Sequence, residues 1–515
     1  MKKLLLFAIL ASSLLACQDR TTETIAGKFL IHILPQPKEI DLSSNAIVLS
    51  NKSKLYSPDP SLQPLLGLAQ NEIEHLTGKR IEITTSQEVG ADINFHLEPN
   101  LGPEEYTLRT TQSVEIHGGS YAAVAAGKNT LLQLLSTLDQ KIVIPQISLR
   151  DFPDASFRGL LIDLARQWHN LDQVKELIDL AAFYKCNFVQ LHFTDYQSFT
   201  LPSTHFPKLS TPDRHYSFED LRELEAYASL RGIAIIPELE VPGHSSPFVK
   251  MYPEIFAIED TASNPWIVNM GREEIYPALD SIIGELAEIF QTSPYFHIGG
   301  DEAIFNQLDQ DPDVQAYMAT HGLGTDVHEL YRHFLVRMNE IVKSHGKKMC
   351  VWEGFGPEGQ VKMPKDLIVF EFETNRYLPD QLIKDGYTVV NTSWKPLYVV
   401  NQKKWEPKTI YDWNMWRWEN WWPNAPSFKP IQVEQSDLVI GAQMCAWEQA
   451  ALVEFPSLRK RLPVFIERIW NTEKKVSYDQ FMLLLEQTDQ KLTQLTGNDS
   501  QDSLLVGYNF VKPED

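Results

Sequence analysis

The sequence has few cysteines and a shortage of positive charge. Four of its 515 residues are cysteines, and no CxxC pair or Cys/His cluster exists, which disfavours a disulfide framework or a structural zinc site. Acidic residues number 68 and basic residues 46, giving a net charge of −22 without a compensating Lys/Arg stripe. Because such a surface repels phosphate backbones and anionic headgroups, we expect no nucleic-acid partner and no basic membrane-binding patch. A neutral small molecule or glycan is the favoured partner.

The N-terminal apolar run, residues 4–15, is too short to cross a membrane as a stop-transfer helix. Lys2 and Lys3 precede it, as in a secretory signal peptide. The run ends in Leu14-Leu15-Ala16-Cys17, which resembles a bacterial lipobox. We predict a lipoprotein signal peptide over 1–17 with lipid on Cys17, a linker over 18–27, and an exported protein whose lipid anchor holds it to the cell envelope, in the outer membrane. An ordinary secretory signal with a chance cysteine is the alternative.

Residues 28–150 are predicted to form a small α+β domain. Strand-like segments and helices alternate there, with strands over 80–84, 93–97, 106–109 and 114–117 and helices over 62–76 and 122–135. No set of chemically reactive residues assembles in this region, so we expect a structural role.

Residues 151–480 carry short apolar runs that alternate with amphipathic stretches, the pattern of βα units. Eight runs are predicted strands: 158–164, 187–193, 234–239, 295–298, 348–352, 367–372, 388–391 and 438–445. Helices are predicted over 172–184, 218–230, 272–290, 327–345, 379–385 and 458–470. Eight repeats predict an α/β fold, a (β/α)8 TIM barrel, followed by a C-terminal helix and tail over 481–515.

Charged or aromatic residues follow nearly every predicted strand at its C-terminal side. They are Asp163 and Arg166; His192 and Asp195; Glu238, Glu240 and His244; Asp301 and Glu302; Trp352 and Glu353; Glu371 and Glu373; Ser393, Trp394 and Tyr398; and Trp447 and Glu448. A single acid after a strand is usually a helix cap or a solvated charge. The recurrence around the ring favours one convergent site, because barrel active sites form on that face.

The most informative segment places two glycines and two adjacent carboxylates after a strand, at Gly299, Gly300, Asp301 and Glu302. Glycines let the backbone approach a ligand closely or adopt positive φ. Adjacent acids in extended backbone point in opposite directions, so one can stay ionised while the other, with a pKa raised by burial and by its neighbour, acts as a general acid. A pair of helix N-cap residues is the alternative.

The motif His297-x-Gly-Gly-Asp301-Glu302 resembles the signature of the family 20 glycoside hydrolases, the β-N-acetylhexosaminidases. Other segments are similar to parts of that family: 157–166, 191–195, 237–244, 441–447 and 463–470 in the barrel, and 105–134 in the preceding domain. The resemblance implies an exo-acting hydrolase that removes terminal β-linked N-acetylhexosamine from glycans with retention, using the sugar's own 2-acetamido oxygen as nucleophile.

The resemblance also implies roles for individual residues, with neither cofactor nor metal. Glu302 would protonate the leaving oxygen and later activate water, while Asp301 would orient the acetamido N–H and stabilise the oxazolinium intermediate. Arg158 would grip the terminal sugar's hydroxyls, with a salt bridge at the barrel base as the alternative. The remaining substrate-binding candidates are Trp352 and Trp447 as walls for the acetamido methyl, Tyr398 as a donor to its carbonyl, Asp195 and His244 as supports of the acid pair, and Glu448.

Several positions depart from the family pattern. Tyr196 follows Asp195 where the family has a second aspartate, Gln167 follows Arg166 where it has histidine, and a third aromatic wall falls near Phe372. Val400 and Gln449 stand where the family has acids. The alternatives are therefore a family member with another specificity, disaccharide-releasing or directed at a modified or sulfated sugar, and a non-catalytic glycan-binding lipoprotein.

Six of the twelve tryptophans lie between residues 405 and 422, after the seventh predicted strand. Flat apolar rings stack on sugars, so this segment could form subsites for the aglycone. A long loop that packs on itself is the alternative for at least half of these rings.

Overall fold

The structure is a computed structural model that describes residues 31–50, 52–85, 91–401 and 403–502. The predicted signal peptide, Cys17 and the linker lie outside the described residues. Within the described part, no helix is both long and apolar enough to span a membrane.

The N-terminal domain is one eight-stranded sheet with two helices. Its sheet order is β1-β8-β5-β6-β4-β2-β3, with β7 paired to β8. The bounds are β1 Glu39–Leu49, β2 Lys54–Tyr56, α1 Gln63–Thr77, β3 Glu82–Ile83, β4 Ile93–Leu97, β5 Tyr106–Thr110, β6 Val114–Gly118, α2 Tyr121–Leu134, β7 Ser136–Leu138 and β8 Lys141–Asp151.

The two faces of this sheet differ in polarity. Phe95 on β4 and Ile116 on β6 are fully buried on the face that α2 covers. On the other face His96, Glu115 and His117 are polar and half-exposed. Ser120 caps the N-terminus of α2 by accepting from the Ala123 N–H. The domain is therefore a two-layer structure with one solvated face.

The second domain is a closed barrel of eight parallel strands, which confirms the predicted fold. Each strand pairs with the next around the ring and β20 closes it on β9. The strands are β9 Phe157–Asp163, β10 Phe188–His192, β11 Ala234–Glu238, β12 Tyr295–His297, β13 Lys348–Trp352, β14 Ile368–Glu371, β15 Thr388–Asn391 and β20 Val439–Trp447.

Helices surround the barrel and shorter elements fill its connections. The helices are α3 Leu171–Phe183, α4 Phe218–Leu230, α5 Ser246–Met251, α6 Pro253–Phe256, α7 Ile275–Ile289, α8 Pro312–His321, α9 Val327–Ser344, α10 Pro379–Lys384, α11 Trp394–Leu397, α12 Pro407–Asp412, α13 Ala451–Leu458, α14 Arg461–Trp470 and α15 Tyr478–Thr496. The connection from β15 to β20 also contains β16 Tyr398–Val400, β17 Lys403–Lys404, β18 Arg417–Trp418 and β19 Ile431–Gln432.

A buried polar cluster joins the two domains. Asp151, at the end of β8, accepts from the Tyr106 hydroxyl at 2.6 Å, from Lys185 Nζ at 3.2 Å and from Trp470 Nε1 at 2.8 Å. Lys185 Nζ also donates to the Tyr106 hydroxyl at 2.8 Å. Because Lys185 and Trp470 belong to the barrel, the sheet domain is fixed to the barrel's side and base.

Candidate active site

The Asp301-Glu302 pair follows β12 at the C-terminal mouth of the barrel. Gly299 and Gly300 have φ values of +69° and +98°, and the Gly300 N–H donates to Glu240 Oε1 at 2.8 Å. A Cβ atom on Gly299 would lie 1.8–2.0 Å from the atoms of the Glu240 carboxyl. The glycine pair is therefore required here for both its backbone conformation and its lack of a side chain.

The pair is not a helix cap, since the residues after it form irregular turns and α8 begins only at Pro312 with Asp311 as its cap. Glu302 has a positive φ of +46° and a side chain 56% exposed to solvent. Asp301 lies deeper, and its Oδ1 is buried without a hydrogen-bond partner. One carboxylate therefore faces the open mouth while the other faces the interior.

A chain of alternating acids and histidines runs inward from Glu302. His244 Nε2 lies 3.4 Å from Glu302 Oε2, and its Nδ1 lies 3.2 Å from Asp195 Oδ1. Asp195 Oδ2 is 3.0 Å from His192 Nε2, whose Nδ1 is 2.8 Å from Glu238 Oε2. These residues lie at or just after the C-terminal ends of β10, β11 and β12, so three neighbouring strands position the chain.

Burial and hydrogen bonding set the charges along this chain. Burial alone would lower the pKa of both histidines, but their carboxylate partners outweigh it and raise the pKa of His192 and of His244 to about 10. Burial would raise the pKa of Asp195, but hydrogen bonds from His192 and His244 and the charge of Arg166 hold it below its usual range. At neutral pH the chain therefore alternates negative and positive charges.

The two candidate catalytic acids have pKa values shifted in opposite directions. Burial raises the pKa of Asp301, whereas the hydrogen bond from His244 lowers the pKa of Glu302. The split itself matches the sequence expectation. Its direction is the reverse of the one expected, because Glu302 contacts a histidinium and Asp301 does not have a comparable donor.

Arg166 lies beside this chain at the end of β9. Its Nη2 is 2.6 Å from Asp195 Oδ2 and its Nη1 is 3.2 Å from Asp163 Oδ2. Its Nε is 3.9 Å from Glu448 Oε1, and the guanidinium lies 5.2 Å from the Trp447 ring. The side chain is 17% exposed, so part of its donor fork faces the mouth.

Aromatic rings form the opposite side of the mouth. Trp352 lies 5.9 Å from Trp447 and 5.8 Å from Phe372 between ring centroids, and Phe372 stacks at 6.3 Å on Tyr398. Trp352 Nε1 donates to Glu238 Oε1 at 2.6 Å, which fixes the ring. Trp394 stacks at 4.3 Å on the other side of Tyr398. The site therefore has a carboxylate side, which can bind the hydroxyls of a sugar, and an aromatic side, which can stack on its C–H face.

Comparison with known families decides the assignment. A family model described as "Glycosyl hydrolase family 20, catalytic domain" matches residues 156–473, and a model for domain 2 of the same family matches residues 30–152. The chain belongs to glycosyl hydrolase family 20. The resemblance found in the motifs is thus confirmed over both domains.

Individual relatives agree with this family assignment. A beta-hexosaminidase of Vibrio furnissii is 29% identical over 373 residues, 66% of this chain and 60% of the relative, and beta-hexosaminidase 3 of Arabidopsis thaliana is 27% identical over 78% of this chain and 73% of the relative. The match to a third relative, a beta-hexosaminidase of Porphyromonas gingivalis, spans 48% of the length of that protein. The chain thus covers only about half to two thirds of the length of these two bacterial beta-hexosaminidases.

Solved structures share the fold. The GH20 exo β-N-acetylglucosaminidase of Vibrio harveyi, in complex with N-acetylglucosamine, matches with a TM-score of 0.76 at 23% identity, covering 93% of this chain and 80% of that one. The β-N-acetylhexosaminidase of Bacteroides fragilis matches with a TM-score of 0.76 at 20% identity, covering 93% of this chain and 99% of that one.

The structure does not bring Arg158 to the site of this family 20 chain, and the expected role of that residue is corrected. Arg158 is the second residue of β9, about 17 Å along the strand from Asp163. Its guanidinium donates to Glu104 at 2.7 Å and to the carbonyls of Ala155 and Lys185, at 2.7 and 3.1 Å. It is a salt bridge at the barrel base, the alternative stated from the sequence, because a residue at the start of a barrel strand lies opposite the mouth.

The other predicted substrate-binding residues do converge on the mouth: Asp195, His244, Trp352, Tyr398, Trp447 and Glu448. Glu448 has a positive φ of +58°, which turns its carboxylate toward Arg166. Gln449 turns inward, fully buried, and donates to the Trp447 carbonyl at 3.1 Å. Val400 pairs with Trp447 across β16 and β20. These two departures from the family pattern therefore lie together beside Trp447.

The sequence prediction did not assign a role to Arg166, His192, Glu238 or Glu240. All four lie at or just after the C-terminal end of a barrel strand, so this position was the available signal. Glu373 is a further such residue, since burial and then the charges of Glu302 and Asp301 raise its pKa. Glu353 is similar in burial, which raises its pKa to about 7.

Half of the rings in the tryptophan-rich segment are buried. Trp405, Trp413 and Trp418 are buried, Trp416 and Trp421 are half-buried, and Trp422 is 48% exposed. Trp413 lies 6.2 Å from Phe465 of α14 between ring centroids, and Trp418 Nε1 donates to the Glu371 carbonyl at 3.3 Å, so these two buried rings pack against the barrel.

Two groups at the mouth have donor atoms close enough to hold a cation: His192, Glu238 and Glu240, and His244, Asp301 and Glu302. The histidines of both groups already bond to carboxylates as charged donors. A metal would need both histidines neutral, so this arrangement fits acid-base chemistry better than metal binding.

Proposed function

We propose that this chain is an exo-acting β-N-acetylhexosaminidase that cleaves terminal β-linked N-acetylhexosamine from glycans. The observation that carries the proposal is the Asp301-Glu302 pair at the barrel mouth, between the acid-histidine chain and the aromatic wall. The relatives that bear the name beta-hexosaminidase support it.

The reaction divides between the two acids. The 2-acetamido oxygen of the sugar attacks the anomeric carbon while Glu302 gives its proton to the departing glycosidic oxygen. This step forms an oxazolinium ion and leaves Glu302 ionised. Glu302 then takes a proton from water, whose oxygen attacks the anomeric carbon and reopens the ring with net retention. Asp301 accepts the acetamido N–H and balances the positive charge of the intermediate.

Substrate binding must reverse the proton preference of the pair. A glycan over Glu302 removes water from its exposed carboxyl, and this loss of hydration raises the pKa of Glu302 from its lowered value. An N–H donor and a developing positive charge at Asp301 lower the pKa of that group. Proton transfer to Glu302 is thereby coupled to occupation of the site.

The remaining residues hold the sugar. Arg166 and Glu448 together offer a donor fork and an acceptor to ring hydroxyls. Trp352, Trp447 and Phe372 enclose the acetamido methyl, and the Tyr398 hydroxyl donates to the acetamido carbonyl.

The test is release of an aryl leaving group from β-GlcNAc and β-GalNAc glycosides by the purified protein, with Glu302→Gln and Asp301→Asn. Parent turnover that falls about 10²- to 10⁴-fold in each variant is the expected result. No turnover on either sugar by folded protein contradicts this specificity. A panel of sulfated or longer glycans then separates another family 20 specificity, which Val400 and Gln449 favour, from a glycan-binding lipoprotein.

We further propose that the protein is an exported lipoprotein held to the cell envelope, in the outer membrane. Lys2, Lys3, the apolar run 4–15 and Cys17 support this proposal. Labelled fatty acid should enter the parent chain and not Cys17→Ser, and unlabelled parent protein would contradict it.

A further inference from the structure

The solvated face of the N-terminal sheet carries two histidines and a glutamate side by side. His96 on β4 is the direct register partner of His117 on the parallel strand β6. Glu115 lies two residues before His117 and therefore points to the same face. The sequence spacing does not reveal this set, because strands that are distant along the chain bring it together.

The donor atoms of these residues are close to one another. His96 Nε2 is 3.2 Å from Glu115 Oε2, the two imidazole rings stack at 4.5 Å, and one donor atom from each residue lies within 4.8 Å of the others. Tetrahedral Zn²⁺ with bonds of about 2.0–2.1 Å places its donors about 3.3–3.4 Å apart. The His96–Glu115 pair already has about that separation, and His117 has a donor atom within 4.8 Å of both, so its ring has to turn toward them to complete the set.

The carboxylate is held in an orientation that suits a ligand. Asn94 Nδ2 donates to Glu115 Oε1 at 2.8 Å, and Ser113 Oγ donates to the same oxygen at 2.5 Å. These bonds leave Oε2 directed at His96. A ligand carboxylate fixed through its second oxygen is the usual arrangement in metal sites.

We propose that His96, Glu115 and His117 form a site for a divalent transition-metal cation, with Zn²⁺ as its best-matched occupant. Two imidazole nitrogens and one carboxylate oxygen are a donor set that zinc accepts, with water in the fourth position. Mg²⁺ and Ca²⁺ prefer oxygen donors and do not match it. The site lies on the face of the sheet opposite the helices, and it joins β4 to β6 without involving the barrel.

The test is calorimetric titration of the full chain with Zn²⁺, and with Mg²⁺ as the negative cation. The parent should bind one Zn²⁺ at this site, His96→Ala and His117→Ala should lose it, and Asn94→Ala should bind about 10-fold more weakly. His75→Ala, on α1 of the same domain, is the matched control and should bind as the parent does.

The acid-histidine cluster at the barrel mouth is the competing site, so Asp301→Asn is titrated in parallel. Zn²⁺ binding that persists in His117→Ala, or that disappears in Asp301→Asn, overturns the proposal. Absence of binding by the parent overturns it as well. Thermal melting of each variant without metal checks that the protein is folded. We expect all of them to fold, because all three ligands are half-exposed.

Discussion

At the scale of single residues, two arginines at opposite ends of β9 have different roles. Arg166 meets Asp195 and Asp163 at the mouth, whereas Arg158 meets Glu104 and two carbonyls at the base. Both are largely buried and paired, so burial and charge alone do not separate them. Position along the strand does.

Substituting each arginine should therefore produce a different defect. Arg166→Ala should lower kcat/KM by about 10²-fold or more, because it leaves buried carboxylates unpaired and removes a hydroxyl donor. Arg158→Ala should leave KM unchanged and lower the free energy of unfolding by about 1–3 kcal/mol, because buried carbonyls lose their donor. Steady-state kinetics and thermal melts of both variants check this. A raised KM in Arg158→Ala would mean that Arg158 does contact the substrate.

His244 sets the acid strength of Glu302, and its removal should change the pH profile. Without the histidinium the pKa of Glu302 rises, so the protonated form needed for acid catalysis persists to higher pH. We expect the alkaline limb of kcat/KM to move upward in His244→Asn, while kcat falls about 10²-fold through lost positioning. His75→Asn serves as control. An alkaline limb that stays in place or moves downward would contradict the role of His244.

At the scale of elements, the barrel strands were predictable from sequence to within about two residues at most ends, because strands buried on both faces are continuous apolar runs. β1 was not predicted, although Glu39-Ile40-Asp41-Leu42 alternates and residues 46–49 are apolar. Its first six residues are all exposed, so the apolar Ile40 and Leu42 do not mark a buried face. The strand-end residues of the site were predictable because the apolar runs show where each strand ends. Their pairing was not, because the His244–Asp195 and Glu240–Gly300 contacts join different strands.

The Gly299-Gly300 turn should tolerate no side chain. Gly299 and Gly324 have similar φ values, +69° and +72°, but a Cβ meets the Glu240 carboxyl at Gly299 and open space at Gly324. Gly324→Ala should cost about 1 kcal/mol of backbone strain and leave turnover intact. Gly299→Ala should in addition displace Asp301 and abolish most turnover. Melting temperatures and kcat for both variants decide this, and equal behaviour would mean that the Glu240 carboxyl does not constrain the conformation of this turn.

At the scale of the whole molecule, the two domains share a charged interior. Asp151 of the sheet domain accepts from Lys185 and Trp470 of the barrel, and Gln133 of α2 bonds to the Phe183 carbonyl. These groups are fully buried, so separation of the domains would expose an apolar surface and also break a buried ion pair. Neither domain can lose this interface at low cost, which makes the molecule one cooperative unit.

This cooperativity has a direct calorimetric consequence. The parent should unfold in one transition, and Lys185→Met should shift that whole transition downward by about 3–5 kcal/mol, because Asp151 remains buried without its cation. Lys343→Met removes the exposed partner of Asp366 and should change stability by no more than about 1 kcal/mol. Two separate heat-absorption peaks, only one of which moved in Lys185→Met, would mean that the domains unfold independently and that the sheet domain is an appendage to the barrel. A single peak that moves as a unit assigns the sheet domain a part in the stability of the site, although none of the residues that the structure describes in this domain lies at the mouth.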